Sequence, residues 1–202
     1  MRYRVWFVLA LLAGLAVACD RGASAGSRTL DVLGAVPDFS FRDQTGAPVR
    51  AADLAGRVVV ANFIFTRCPT VCPATSLKMQ RIGQRLAKMG DAVQLVSFSV
   101  DPEHDTPEVL AEFAARYQAD PERWRFLTGP SDQVRAAVEG GFKIALERRG
   151  ELADGTPDIV HGVHFVLVDP ELRIRGYYDS DDAARLDQLV ADATDLARRR
   201  PD

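Results

Sequence analysis

Apolar and polar positions change their period several times along this 202-residue chain. Residues 38–41 alternate as a half-buried strand does, and Gln44-Thr45-Gly46-Ala47-Pro48 reads as a turn. Residues 58–65 are apolar, β-branched or aromatic except for Asn62, the pattern of a central strand covered on both faces. A helix is predicted over residues 73–89, with Leu77, Ile82, Leu86 and Met89 along its inner side. Residues 93–100 read as a second buried strand. Thr106 and Pro107 then predict a helix start, Thr as N-cap and Pro in the first turn. Its inner stripe is Val109, Leu110, Phe113, Ala114 and Tyr117.

Residues 125–128 predict a short strand, Ser131 the cap of a short helix to about Glu139, and residues 142–146 another short strand. The polar stretch 147–160, with Gly150, Gly155 and Pro157, predicts a surface loop. Strands over 163–168 and 173–178 are joined by Asp169-Pro170-Glu171-Leu172, a connection that permits only an antiparallel hairpin. A last helix carries Leu186, Leu189, Val190, Ala193 and Leu196. Early strand–helix–strand units imply parallel pairing and the late hairpin antiparallel pairing. The expected fold is α/β: a thioredoxin-like sandwich, a central mixed sheet flanked by helices, with a late β-hairpin and a C-terminal helix.

The N-terminus departs from this pattern. Arg2 and Arg4 precede an uncharged, mostly apolar run of 13 residues, 5–17, which is short for a membrane span of roughly 20 residues and reads as a secretion signal. Cys19 follows, so Leu15-Ala16-Val17-Ala18-Cys19 resembles a bacterial lipoprotein signal, with Ala16 where such signals more often carry Leu. That resemblance implies acylation of Cys19, and Asp20 beside it resembles the signal for retention at the inner membrane. The expected organisation is a signal over 1–18, a flexible Gly/Ala/Ser-rich tether over 19–33 and one domain over 34–202, outside the cytoplasm. Without Arg2 and Arg4 the formal charge moves from −3 to −5, which gives no general attraction for nucleic acid. Arg198, Arg199 and Arg200 read as favourable charges at a helix C-terminus.

Candidate chemistry concentrates in Cys68-Pro69-Thr70-Val71-Cys72-Pro73, between a buried strand and a helix. Residues before proline avoid the α region, so both cysteines are expected outside the helix, with Cys72 as its N-cap. A thiol at a helix N-terminus has a lowered pKa, and thiolate serves both metal binding and redox attack. Three uses compete. A structural disulfide would close a very short loop and add little. A redox dithiol of thioredoxin type uses a two-residue spacer, one shorter than here. A metal site needs further ligands; structural zinc takes four, whereas copper(I) prefers thiolate and accepts fewer.

The blocks 63–73, Ser99-Val100-Asp101-Pro102 with Asp105-Thr106-Pro107, Trp124 with 126–129, and His161 with 165–169 together resemble the Sco/SenC family of copper-binding proteins. The resemblance implies a thioredoxin-like domain binding one copper, as Cu(I) or Cu(II), through Cys68, Cys72 and His161. It further implies a metallochaperone without turnover, partnered by the CuA-bearing subunit of cytochrome c oxidase or another copper protein; the N-terminal signal places it on the periplasmic face of the inner membrane, lipid-anchored or N-terminally anchored. The alternative is an extracytoplasmic thiol–disulfide oxidoreductase that cycles Cys68 and Cys72 to reduce a target's cysteines. His164 is expected to face solvent, His104 to be a turn residue, Asp101 to brace its loop, and Trp124 and Phe126 to be core. Leu172 stands where similar sequences usually have Gly, which leaves the hairpin's turn type open. Pro157 lies four residues before His161, away from the place of the cis-proline of thioredoxin-like oxidoreductases.

Overall fold

The computed structural model describes residues 29–153 and 155–199. The expected signal, Cys19 and most of the expected tether lie outside the described residues. Ten strands are present among these: β1 (Gly34–Ala35), β2 (Ser40–Asp43), β3 (Pro48–Arg50), β4 (Val58–Ile64), β5 (Val93–Ser99), β6 (Trp124–Thr128), β7 (Leu146–Glu151), β8 (Pro157–His161), β9 (His164–Val168) and β10 (Arg173–Asp179). Helices are α1 (Val71–Arg85), α2 (Pro107–Arg116), α3 (Ser131–Arg135) and α4 (Ala183–Arg198). Eight strands form one mixed sheet in the order β1-β10-β9-β4-β5-β6-β2-β3, while β7 and β8 pair only with each other. β4 and β5 are parallel over their whole length, from Val58↔Val93 to Ile64↔Ser99, and β5 is parallel to β6.

Both central strands are buried at every position, which is why they read as mostly apolar runs. One face packs on α2, where Phe126 meets Phe113 edge to face at 6.0 Å. Asn62, the polar exception, lies on this face and is only 3% exposed. Its Oδ1 accepts from Ser97 Oγ at 2.6 Å, and Ser97 Oγ accepts from Trp124 Nε1–H at 2.9 Å. The other face is aromatic. Phe98 stacks on Phe63 at 5.7 Å and meets Phe142 at 5.0 Å, Phe39 at 5.5 Å and Phe41 at 6.3 Å.

Several local expectations are corrected. α1 begins two residues before Pro73 and ends at Arg85, and Leu77 is 46% exposed because the inner face runs instead through Cys72, Thr75, Ser76, Met79 and Ile82. Ser131 opens α3 as a helical residue and makes no capping bond. Strand β7 starts at Leu146, so residues 142–145 are not a strand. The polar stretch 147–160 is not a loop but most of the β7–β8 ribbon, whose β7 residues face solvent almost throughout. β7 has no buried face, so its residues have no reason to alternate, whereas β8 buries Pro157 and Ile159. Thr106 caps α2 as expected, its Oγ1 accepting from Val109 N–H at 3.4 Å.

The β9–β10 hairpin closes with Leu172 in the left-handed region at φ 61°. That conformation costs a non-glycine residue about 1–2 kcal/mol. Asp169 offsets it, Oδ1 accepting the N–H of Glu171 at 3.1 Å and of Arg173 at 2.9 Å. The incoming chain is fastened at this same pole: Arg175 donates to Asp169 at 3.1 Å and to the Leu30 carbonyl at 2.5 Å.

Because Phe98 touches four other rings, Phe98→Ala should lower the unfolding free energy by about 3–5 kcal/mol. Urea unfolding with an earlier midpoint and an unchanged slope is the expected result.

Candidate functional site

The parallel register places the segments after β4 and β5 side by side. Val100 N–H donates to Ile64 O at 2.8 Å, so residues 65–71 and 100–106 share the carboxyl end of the sheet. This is where open α/β sheets hold ligands. Thr66 is tied across by Asp105, which is fully buried. The Asp105 carboxylate accepts from Thr66 N–H at 3.2 Å, Thr66 Oγ1 at 2.5 Å and Ser99 Oγ at 2.6 Å. Burial pushes its pKa above the ordinary carboxylate value. Asp101, likewise buried, accepts from Arg67 Nε at 3.1 Å and Nη2 at 2.7 Å. The expected brace is therefore present, and Arg67 is held immediately before Cys68. His104 sits exposed in the turn of the 100–106 segment, its N–H donating to Asp101 O at 3.0 Å.

The two cysteines, both free thiols, have different surroundings. Cys72 is not the N-cap but the second residue of α1, and Thr70 is the N-cap. Pro73 fits at the third helical position because the N–H it lacks has no intrahelical partner there. The capping role falls to the Cys68 side chain: its sulfur accepts the Cys72 N–H at 3.5 Å. Hydrogen bonding from the Cys72 thiol, together with the N–H groups of Cys72, Thr70 and Val71, pulls the Cys68 pKa down to about 5. Cys72 is completely buried, and its sulfur accepts Phe65 N–H at 3.5 Å. Donating its S–H to Cys68, and then burial, push its pKa up. The expectation of a low pKa is met by Cys68 alone, which is half-buried, whereas the buried Cys72 has a raised one.

His161 ends β8 and is a strand residue rather than part of an entry loop. Its Nε2 lies 3.7 Å from Cys72 Sγ, and its ring meets Phe65 edge-on at 6.0 Å. Its Nδ1 is 3.2 Å from the Gly162 carbonyl. Donation of Nδ1–H to that carbonyl leaves the Nε2 lone pair facing the thiol. Burial holds the imidazole below its ordinary pKa, so it is neutral at pH 7. His164, half-buried at the start of β9, lies across from Asp179. Cys68, Cys72 and His161 thus come together pairwise, with Cys72 between the other two. Among the described residues no group of three or more His, Cys, Asp or Glu side chains is arranged so that it could hold a metal ion.

Thr66, Arg67 and Asp105 escaped the reading of the sequence as parts of the site. The available signal was a run of polar residues directly after each buried strand, where solvent-exposed turns would need no carboxylate.

The sheet order, the helix crossovers and the cysteine turn at the carboxyl end of β4 define a thioredoxin-like fold. A family model described as SCO1/SenC matches residues 29–197, and the chain belongs to that family. The SCO1 protein homolog of Bacillus subtilis (strain 168) is 33% identical over 172 residues, 84% of this chain and 87% of that one. A Stutzerimonas stutzeri relative, described as a putative copper-binding protein, is 31% identical over 182 residues, 86% of this chain and 85% of its own. Among solved structures, a SCO1/SenC family lipoprotein from Bacillus anthracis str. Ames matches at TM-score 0.74 and 30% identity, covering 83% of this chain and 98% of that one. BsSco, described as a member of the Sco family of cytochrome c oxidase assembly proteins with a disulfide switch, matches at TM-score 0.73 and 30% identity over 85% of this chain and 98% of its own.

The thiol asymmetry has a direct test. Alkylation of Cys68 should rise with pH through a midpoint near 5, while Cys72 stays unlabelled until the protein unfolds. Equal labelling of both, or a midpoint near the free-thiol value of about 8.5, would contradict the assignment.

Proposed function

We propose that this protein binds one copper ion through Cys68, Cys72 and His161 and serves as a metallochaperone for the CuA centre of cytochrome c oxidase. The observation that carries this reading is the approach of His161 Nε2 to within 3.7 Å of Cys72 Sγ beside the Cys68 thiolate. Metal bonds of roughly 2.0 and 2.3 Å, as at imidazole–thiolate sites, span that gap at an angle of roughly 120°. The donor set is soft, carries few ligands and keeps one of them accessible, which suits copper, above all Cu(I). The copper-binding description of the Stutzerimonas stutzeri relative and the oxidase-assembly description of BsSco support the cargo and the client.

His161 is neutral and Cys68 ionised at pH 7, so loading releases essentially the one proton held by Cys72. Unloading proceeds by ligand exchange. An incoming thiolate of the target replaces Cys68, the less buried of the two, first, and Cys72 takes back a proton as the ion leaves.

The thiol asymmetry also favours a second reading, reduction of a target disulfide. Cys68 thiolate attacks one target sulfur and releases the other as a thiolate. Cys72 then gives up its proton and attacks Cys68, releasing the second target sulfur. The target gains two electrons, and Cys68 and Cys72 end as a disulfide that cannot hold copper.

We place the domain on the outer face of the inner membrane, held by acylated Cys19. None of the helices among the described residues is long and apolar enough to cross a membrane, and the Bacillus anthracis relative is a lipoprotein. Cys19→Ser should shift the protein from the membrane to the soluble fraction with its fold unchanged; persistence in the membrane fraction would contradict the anchor.

Copper titration of the reduced protein should show tight one-to-one binding. Cys68→Ser, Cys72→Ser and His161→Ala should each weaken it by more than about a hundredfold, beyond the cost of losing a mere partner of a ligand. Parental affinity in His161→Ala, with disulfide reduction intact, would transfer the function to the second reading.

A further inference from the structure

We propose that Asp101 and Arg148 form a positioning pair that holds His161 over the cysteine turn. The proposal deepens the copper reading above and rests on it for the role of His161.

The two halves of the site lie on separate elements. Cys68 and Cys72 follow β4 in the main sheet, whereas His161 ends a ribbon that pairs with no strand of that sheet. Main-sheet hydrogen bonding therefore does not set the distance between His161 and the thiols. The ribbon buries Pro157 and Ile159 and ties Gly162 N–H to Ala145 O at 3.1 Å, but its β7 edge is exposed.

One carboxylate reaches both halves. Oδ2 of Asp101 is occupied by Arg67, the residue before Cys68, through Nε at 3.1 Å and Nη2 at 2.7 Å. Oδ1 is buried and has no hydrogen-bond partner. The group facing it is Arg148 Nη2 at 3.7 Å. Arg148 lies opposite Ile159 in the ribbon, and Leu146 on the same strand lies opposite His161. A movement of under about 1 Å would turn the contact into a full hydrogen bond. The drive for it is large, because a buried carboxylate oxygen without a donor keeps its desolvation penalty. Arg148 has one competing acid, Glu103, whose Oε2 is 3.8 Å from Nη1 and whose side chain is largely exposed. A shared anchor thus links the residue before one thiol to the ribbon that bears the imidazole. Arg67 and Arg148 act through their neighbours and touch no ligand position themselves.

Arg148→Gln tests this in the full-length, reduced protein, since Arg148 is partly exposed and its loss spares the core. Metal-free amide exchange at residues 159–161 should quicken roughly tenfold, the order expected for losing one hydrogen bond to a charged group, with β4 and β5 unchanged. Copper(I) release to a competing chelator should quicken by a similar factor. Arg148→Lys should restore most of both. In an Asp101→Asn background Arg148→Gln should add nothing further. Unchanged exchange in Arg148→Gln overturns the proposal whether or not the protein binds copper. Faster exchange in a protein that never binds copper would support the anchor and sink the copper reading.

Discussion

The parallel pairing of β4 with β5 is the constraint on which the site depends. Because Ile64 stands beside Ser99, the two chains leave the sheet at the same level and in the same direction. Each must then turn away, and buried polar groups of the two segments pair with one another across the gap. Asp105 meets the Thr66 amide and hydroxyl, and Asp101 meets Arg67. These bonds fix where the chain stands when it reaches Cys68. A single register slip would carry every one of them to the wrong neighbour.

From that placement the different characters of the two thiols follow. Cys68 comes before the helix and lends its sulfur to amides that α1 leaves free at its start. Cys72 lies one turn further on, inside the helix and facing the core, where charge is disfavoured. The same local geometry therefore makes one sulfur ready for attack or exchange and keeps the other in reserve beside His161. Carrying an ion and carrying electrons ask for the same asymmetry, which is why both readings draw on one arrangement.

The parts legible in the sequence are those whose residues are buried or follow local rules. The runs over β4 and β5, the Thr106–Pro107 helix start and the β9–β10 hairpin all emerged from pattern alone. The ribbon did not, because strands are recognised by burial and β7 has hardly any. Cys72 enters the helix although it precedes a proline, because the Cys68 sulfur accepts its N–H, a partner that the rule for residues before proline does not include. Cys68, Cys72 and His161 were singled out from the cysteine spacing and a family resemblance, and the fold brings them together across 89 residues. The acids behind them act over 34 to 39 residues of chain, a distance at which a single sequence carries no visible pairing.

The fastening of Leu30 by Arg175 and Asp169 has a mechanical consequence. The chain enters the domain at the pole where β9 turns into β10, and the thiols lie at the other pole, beyond the seven residues of β4, about 20 Å away. Any pull on the N-terminal segment is borne by the hairpin and β10, not by the cysteine turn. With the membrane attachment proposed above, the thiols would lie on the side away from the attachment, and the geometry around the sulfurs would carry no load.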